Sequence, residues 1–160
     1  MASGTPTWVE EDFSSFTPGR KISETAMEGR WLSVCTDRPG AHRFSSRNLP
    51  QPPDANHASG THVEISGSGS VVFKLKEHVQ GLCFSAWSAK APFVILKARY
   101  FNENGETLRE FEHVARRKPA YCTHVVESGD SISGVEISTE THGDAGIACV
   151  DGFFSLLLCC

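Results

Sequence analysis

Alternation of apolar and polar side chains is the sequence feature that most limits how this chain can fold. In the stretch SVVFKLKEHV, Val71 and Phe73 occupy one set of alternate positions, and Lys74 and Lys76 occupy the other. A period of two residues is typical of a β-strand with one buried and one solvated face. No window shows an apolar stripe with the helical period, so the sequence predicts an all-β protein.

Turn signals divide the alternating segments into about eight or nine strands. In APFVILKARYFNENGETLREFEHV, Asn104 and Gly105 separate two such segments. These residues accept the positive φ angles of a tight turn, so the unit is predicted to be a β-hairpin. Other strands are predicted at GRWLSVC, THVEIS, SVVFKLKEHV, GLCFSAW, AYCTHVVES, ISGVEIST and IACVDGFFSLLL. The pattern predicts a two-sheet antiparallel β-sandwich of jelly-roll type.

Length and the distribution of proline predict the domain organisation. A chain of 160 residues fits one domain with its own core. We expect residues 1–7 to form a flexible arm and residues 8–160 a single sandwich domain. Prolines and small polar residues crowd the stretch at about 37–59, which is predicted to be a long loop because they cannot pair inside a sheet. Long loops often contribute ligand contacts.

The charge balance argues against nucleic-acid and membrane partners. Fifteen Lys and Arg residues against nineteen Asp and Glu residues give a net charge of -4, so no strongly basic surface for nucleic acid is expected. No apolar run approaches the roughly 18 residues of a membrane span, and the first residues lack a secretory signal pattern. The sequence predicts a soluble, cytoplasmic protein, or a secreted one if Met1 replaces a removed leader.

Six cysteines are scattered along the chain without a CxxC pair, so a zinc cluster or redox centre is not predicted. Cys83 and Cys149 lie in apolar, strand-like runs, where a reduced cysteine behaves as a small hydrophobe. Buried thiols are therefore favoured, and three disulfides are the alternative.

Motifs typical of enzymes are missing from the sequence. It contains no GxSxG, no HExxH and no glycine-rich phosphate loop that opens a helix. His57 and His62 are separated by four residues, but no third ligand lies near them in the sequence. The chain is therefore predicted not to be an enzyme.

An aromatic platform beside polar groups is the sequence feature expected of a saccharide site. Alternation assigns Trp87 to the less buried face of its strand, which makes it the candidate platform. Lys97 and Arg99 are predicted to point outward from a neighbouring strand, beside Lys74 and Lys76. Together they predict a basic sheet face suited to an acidic saccharide or another anion. The alternative is a solvated polar row that prevents aggregation and binds nothing.

Several segments, in their order along the chain, resemble the galactose-binding-like jelly rolls of many carbohydrate-binding modules. The resemblance rests on WVEEDFSSFTPGRKI, GSVVFKLKEHVQGLCFSAW, VILKARYFNENGETL and ISGVEISTETHGDAGIACVDGFFSL. It implies a structural calcium ion where the first and last strands meet, with Glu11, Asp12 and Asp151 as the matching carboxylates. The chain departs from the family pattern at its last strand, where Gly152 follows Asp151 in place of a second acidic residue.

The sequence and the resemblance together predict a non-catalytic binding module with a carbohydrate partner, in the manner of a lectin. The alternative is a structural or assembly protein that uses a jelly roll for protein–protein contacts, including contacts between copies of this chain. Because one fold serves both roles, fold alone does not separate them.

Overall fold

The strands of the sandwich are seen in a computed structural model that describes residues 7–11, 13, 15–38, 41–47, 60–66, 69–126, 130–139 and 147–157. The strands are β1 (Thr7–Glu11), β2 (Met27–Glu28), β3 (Leu32–Thr36), β4 (Arg43–Arg47), β5 (Gly60–Ile65), β6 (Ser70–Val79), β7 (Gly81–Ser88), β8 (Phe93–Phe101), β9 (Thr107–Arg116), β10 (Ala120–Val125), β11 (Ile132–Thr139) and β12 (Ala148–Leu157). None of the residues described belongs to a helix long and apolar enough to cross a membrane. The predicted all-β class is confirmed.

Two antiparallel sheets of six strands make the sandwich. Sheet I has the order β10-β7-β12-β5-β4, with β1 also paired to β12, and sheet II has the order β2-β3-β6-β11-β8-β9. The described strands outnumber the eight or nine predicted. The strands that alternation did not identify are β1, β2 and β4. β2 has two residues, which is too short for alternation to be recognised, and most of β1 lies in the segment WVEEDFSSFTPGRKI, on which the family resemblance rests.

The stretch predicted as a long loop contains one of these additional strands. β4 pairs with β5, and Phe44 of β4 lies opposite Val63. Phe44 is fully buried, so a single large core residue holds this polar segment in the sheet. Residues 39–40 and 48–59 lie outside the described part of the chain, as do residues 1–6 of the predicted arm, whereas Thr7 begins β1.

Phenylalanine rings from both sheets meet in the core. The ring centroid of Phe153, from β12 of sheet I, lies 4.5 Å from that of Phe73, from β6 of sheet II. Phe84 and Phe13 pack on Phe153 at 5.4 and 5.6 Å. Aromatic side chains bury large apolar areas, so this cluster joins the two sheets strongly.

The four described cysteines lie in strands and carry thiols. They are Cys35 in β3, Cys83 in β7, Cys122 in β10 and Cys149 in β12. Burial raises the pKa of the Cys122 thiol to about 12, which keeps it protonated at neutral pH. The prediction of buried thiols is confirmed for Cys122 and Cys149, whereas Cys35 and Cys83 are only half-buried.

Candidate functional site

A groove of about 420 Å³ crosses the outer face of sheet II where β6, β11 and β8 lie side by side. Small-molecule sites have volumes of roughly 300–1,000 Å³, so the groove is large enough for a ligand. Its lining mixes apolar, charged and amide side chains. These are Val72, Leu75 and Phe101, and Lys74, His78, Asn102, Glu103 and Ser133.

Gly134 of β11 lies between two residues that line the groove. It lies opposite Lys74 on one side and opposite Phe101 on the other. A Cβ atom at this position would clash with the backbone carbonyl oxygen of Phe73 and would lie 2.6 Å from Cζ of Phe101, too close for any real side chain. The pairing of β11 with β6 also shifts register between Ile132 and Gly134. A glycine therefore stands where the strands approach closely and their pairing is irregular.

The turn after β8 forms one wall and is held by its own hydrogen bonds. Oδ1 of Asn102 accepts hydrogen bonds from the backbone N–H groups of Asn104, at 3.0 Å, and Glu106, at 2.9 Å. Gly105 has a φ of 80°, a conformation that glycine adopts without steric cost. These bonds lie within the turn and fix its backbone, and a fixed wall lowers the ordering cost of binding.

His78 links this turn to the bulge in β11. Its Nε2 lies 3.5 Å from Oε2 of Glu103, and its Nδ1 lies 3.2 Å from Oγ of Ser133. His78 and Glu103 both remain mostly exposed. The groove therefore presents hydrogen-bonding groups to solvent above the nearly buried ring of Phe101, which is 8% exposed.

The predicted basic residues share the outer face of sheet II but do not make it positive. Arg99 lies opposite Glu136 of β11 and Glu110 of β9, and Lys97 lies opposite Glu112. Nε of Arg99 donates a hydrogen bond to Oε1 of Glu136 at 3.2 Å. Side chains directly opposite in antiparallel strands share a face, so acidic groups are interleaved with the basic ones. The expectation of a basic sheet face is wrong for this reason.

Of the four basic candidates, Lys74 alone lines the groove. Nζ of Lys76 lies 3.3 Å from Oε2 of Glu28. Glu28 belongs to β2, an edge strand of sheet II that does not line the groove. Nη1 of Arg99 donates hydrogen bonds to the carbonyl oxygen of Gly105 and to Oγ1 of Thr107, both at 3.2 Å. Arg99 therefore supports the turn that walls the groove.

The environment of Lys74 also includes the thiol of Cys35 on the adjacent strand β3. Burial raises the pKa of this thiol, and the positive charge of Lys74 acts in the opposite direction. Cys35 therefore stays a thiol at neutral pH.

Trp87 is fully buried, which corrects the expectation of an exposed platform. Alternation does place it on the outer face of sheet I, opposite Cys149. There it packs with Cys149 and Ala89 in a small cluster separate from the main core. Its ring centroid lies 5.1 Å from that of His62. Alternation identifies the face of a side chain, but it does not determine how well that face is covered.

The carboxylates implied as calcium ligands are not brought together. Glu11 lies opposite Phe153, a core residue, whereas Asp151 lies opposite Ser85 on the outer face of sheet I. A register shift between Asp151 and Phe154 separates the two positions. Asp12 lies outside the described residues.

The carboxylate of Glu11 instead binds backbone groups. Oε2 accepts a hydrogen bond from N–H of Phe13 at 3.1 Å, and Oε1 accepts one from N–H of Trp31 at 2.9 Å. Phe13 has a φ of 57°, so Glu11 holds a residue whose backbone conformation is unfavourable for a non-glycine residue. The described geometry gives this carboxylate a structural role.

Sequence reasoning did not select His78, Phe101, Asn102 or Ser133 as site residues. One signal was available, because Gly134 interrupts the strand ISGVEIST, and glycine inside a strand often marks a bulge or a close approach. The residues that face each other across Gly134 could not be identified without the register of β6, β11 and β8.

Comparison with known proteins identifies the fold. No protein-family model matches the chain, and no curated protein sequence matches it. A cleaved adhesin domain of Lys-gingipain is similar in structure, with a TM-score of 0.60 and 11% identity over 94% of this chain and 100% of that one. The carbohydrate-binding module CBM29-2, solved as a variant complexed with mannohexaose, has a TM-score of 0.51 and 11% identity over 96% and 93%. The predicted resemblance to carbohydrate-binding modules is confirmed at the level of the fold.

A second cleaved adhesin domain of Lys-gingipain, from Porphyromonas gingivalis, matches with a TM-score of 0.51 and 13% identity over 93% of this chain and 97% of that one. The chain therefore has the β-sandwich fold shared by adhesin domains and carbohydrate-binding modules.

Proposed function

We propose that this protein is a non-catalytic binding module that holds a saccharide in the groove of sheet II. The composition of the groove carries the proposal. Saccharides present apolar C–H faces and many hydroxyl groups. Val72, which is half-buried, and the small exposed part of Phe101 offer apolar contact. Lys74, His78, Asn102 and Glu103 offer donors and acceptors around them.

The charges in the groove favour a neutral saccharide over an acidic one. Lys74 and Glu103 both line it, and Glu103 lies within 3.5 Å of His78. A carboxylate at the rim repels an anionic ligand. A sugar hydroxyl group, in contrast, can accept a hydrogen bond from the ammonium of Lys74 and donate one to the carboxylate of Glu103.

The fold supports the same class of ligand. CBM29-2, whose fold this chain shares, was solved in complex with mannohexaose. Since a fold hosts many functions, the groove carries more weight than this comparison, and the choice of sugar is left to experiment.

A glycan array followed by isothermal titration calorimetry tests the proposal. We expect wild-type protein to bind a neutral oligosaccharide, and Lys74→Ala to weaken that binding by about tenfold or more, because a hydrogen bond to a charged group is lost. Lys76→Ala is the matched control. It removes the same side chain from the same face of β6, at a position that pairs with Glu28 outside the groove.

Two results would contradict the proposal. One is an array on which no glycan binds at high protein concentration. The other is a glycan whose affinity falls equally in Lys74→Ala and Lys76→Ala, which would place its site away from the groove.

A second candidate function, protein–protein contact, is favoured by a separate observation. The exposed large hydrophobic residues among those described are Phe93, Val114, Tyr121 and Val125. All four lie in β8, β9 and β10, and β9 and β10 are the edge strands of their sheets. The backbone of an edge strand can pair with a strand of another chain, and exposed apolar side chains can pack against that chain. A large assembly in size-exclusion chromatography, together with no glycan binding, would favour this function.

A further inference from the structure

Three side chains able to bind a metal ion meet on the outer face of sheet I. They are His62 and Glu64 of β5 and Cys149 of β12. The sheet register places Cys149 opposite Glu64, and His62 is two residues from Glu64 on the same face. One ligand atom from each residue lies within 4.8 Å of the others.

These distances are compatible with one ion after small side-chain rotations. Zinc binds nitrogen and oxygen at about 2.0–2.2 Å and sulfur at about 2.3 Å, so two of its ligands in a tetrahedral site lie roughly 3.3–3.7 Å apart. The backbone already holds the three residues in neighbouring strands, and rotation about side-chain bonds is sufficient to shorten the remaining separations.

The donor set identifies the class of metal. A thiolate, an imidazole and a carboxylate together suit Zn²⁺ and similar transition-metal ions. Calcium and magnesium prefer oxygen ligands alone, so they do not fit this set. A thiol binds as its thiolate, so each ion that binds displaces one proton from Sγ of Cys149 to solvent.

Burial distinguishes this cluster from ordinary surface residues. His62 is 2% exposed and Cys149 is 1% exposed, although both lie on the outer side of the sheet. Placing polar groups away from water is costly unless they are bound. Direct coordination of a metal ion is one form of such binding.

Arg43 provides the kind of support that metal ligands usually have. Its Nε donates a hydrogen bond to Oε1 of Glu64 at 2.8 Å. Carboxylates that bind a metal are commonly oriented by such hydrogen bonds. The interaction restricts the Glu64 side chain near Cys149 and His62.

Two further polar atoms on the same face indicate a site for a small ligand. Oγ of Ser85 and Nε1 of Trp87 are buried and make no hydrogen bond to any residue that the structure describes. Ser85 and Trp87 lie opposite Asp151 and Cys149 of β12. A water molecule bound to a metal ion offers a hydrogen-bonding partner to groups of this kind.

We propose that His62, Glu64 and Cys149 form a three-ligand site for Zn²⁺ or a similar transition-metal ion, with a fourth position open to water. The site is independent of the proposed saccharide groove, which lies on the other sheet. Its sequence signature is weak because Cys149 is far from His62 and Glu64 along the chain.

Titration of the full chain with Co²⁺ and Zn²⁺ tests the proposal. We expect one equivalent of Co²⁺ to bind, to produce a thiolate charge-transfer band in the near ultraviolet, and to quench the fluorescence of Trp87, whose ring lies beside that of His62. Competition by Zn²⁺ is expected to remove the band. A titration without such a band would overturn the proposal.

Variants then locate the ligands. Cys149→Ser is expected to lose the charge-transfer band, and Glu64→Gln to weaken Zn²⁺ binding by at least about tenfold. Cys35→Ser, on the other sheet, and the double variant Cys159→Ser, Cys160→Ser are the controls and should keep the band. Circular dichroism verifies the fold of each variant. If Cys149→Ser does not fold, Glu64→Gln, in which the side chain keeps its size, still gives the affinity readout.

A band that persists in folded Cys149→Ser, or that disappears in either cysteine control, would place the metal elsewhere and overturn the assignment. Unchanged Zn²⁺ affinity in Glu64→Gln would also overturn the three-ligand site.

Discussion

The outer faces of the two sheets differ in how far they expose polar side chains to solvent. On sheet II, charged residues alternate across neighbouring strands, and an open groove lies between β6, β11 and the turn after β8. On sheet I, Trp87, Ser85 and His62 are all buried. The same alternating pattern therefore produces an accessible face on sheet II and an enclosed region on sheet I around β5, β7 and β12, whereas Tyr121 on the edge strand β10 stays exposed. Residues on the first are available to bind ligands from solvent, and residues on the second contribute to stability or bind something small.

The largest expected effect is on the free energy of unfolding, and it comes from comparing truncation of Trp87 with truncation of Lys74. We expect Trp87→Ala to lower the free energy of unfolding by about 3–5 kcal/mol, as for other large aromatic residues removed from a packed interior. Lys74→Ala should change it by no more than about 0.5 kcal/mol, because Lys74 is exposed. Urea unfolding followed by circular dichroism measures both. Similar values for the two variants would mean that the faces are not distinct.

A side chain at Gly134 tests whether the open face depends on one glycine. Gly134→Val is expected to cost about 1–3 kcal/mol, because its Cβ would clash with the backbone carbonyl oxygen of Phe73 and its methyl groups would displace Phe101. It should also weaken any ligand binding in the groove, because Phe101 lines it. Gly134→Ala, which adds the Cβ alone, should already be destabilising, and urea unfolding with calorimetry measures stability and binding. Unaltered binding in a folded Gly134→Val protein would show that the groove is not the site.

The charge pairs on the outer face of sheet II should contribute least to the free energy of unfolding. Glu136→Gln removes the partner of Arg99, and both side chains are about one-third exposed, at 29% and 34%. Such pairs contribute about 0.2–1 kcal/mol, so we expect a loss in that range. The loss should shrink as salt is added, because screening weakens the wild-type pair. A loss that is independent of salt would indicate that hydrogen bonding, and not charge, is the main contribution.

Much of the architecture could be predicted from the sequence because it depends on local patterns. The hairpin around Asn104 and Gly105, the strand positions of the cysteines and the outward orientation of Lys74 all follow from alternation and turn chemistry. β4 was missed because its segment is polar except for Phe44. A single buried ring, contributed by tertiary packing, decides its structure.

The candidate sites were less predictable because they depend on pairing between distant segments. Arg99 was expected to add to a basic face, but it lies between Glu136 and Glu110 once β8 is placed between β11 and β9. Glu11 and Asp151 match the family's calcium positions in the sequence, but a register shift in β12 leaves them on different sides of sheet I.

The sequence by itself determined that this chain is built of strands, where most of them turn, and which side chains share a strand face, because these properties arise from a two-residue period and from local turn preferences. Only the tertiary structure decided which faces are covered and which residues meet. Burial of Trp87, the groove beside Lys74 and Phe101 and the meeting of Cys149 with His62 and Glu64 all depend on inter-strand register. Register is set by the packing of the whole sandwich, so a local pattern cannot specify it.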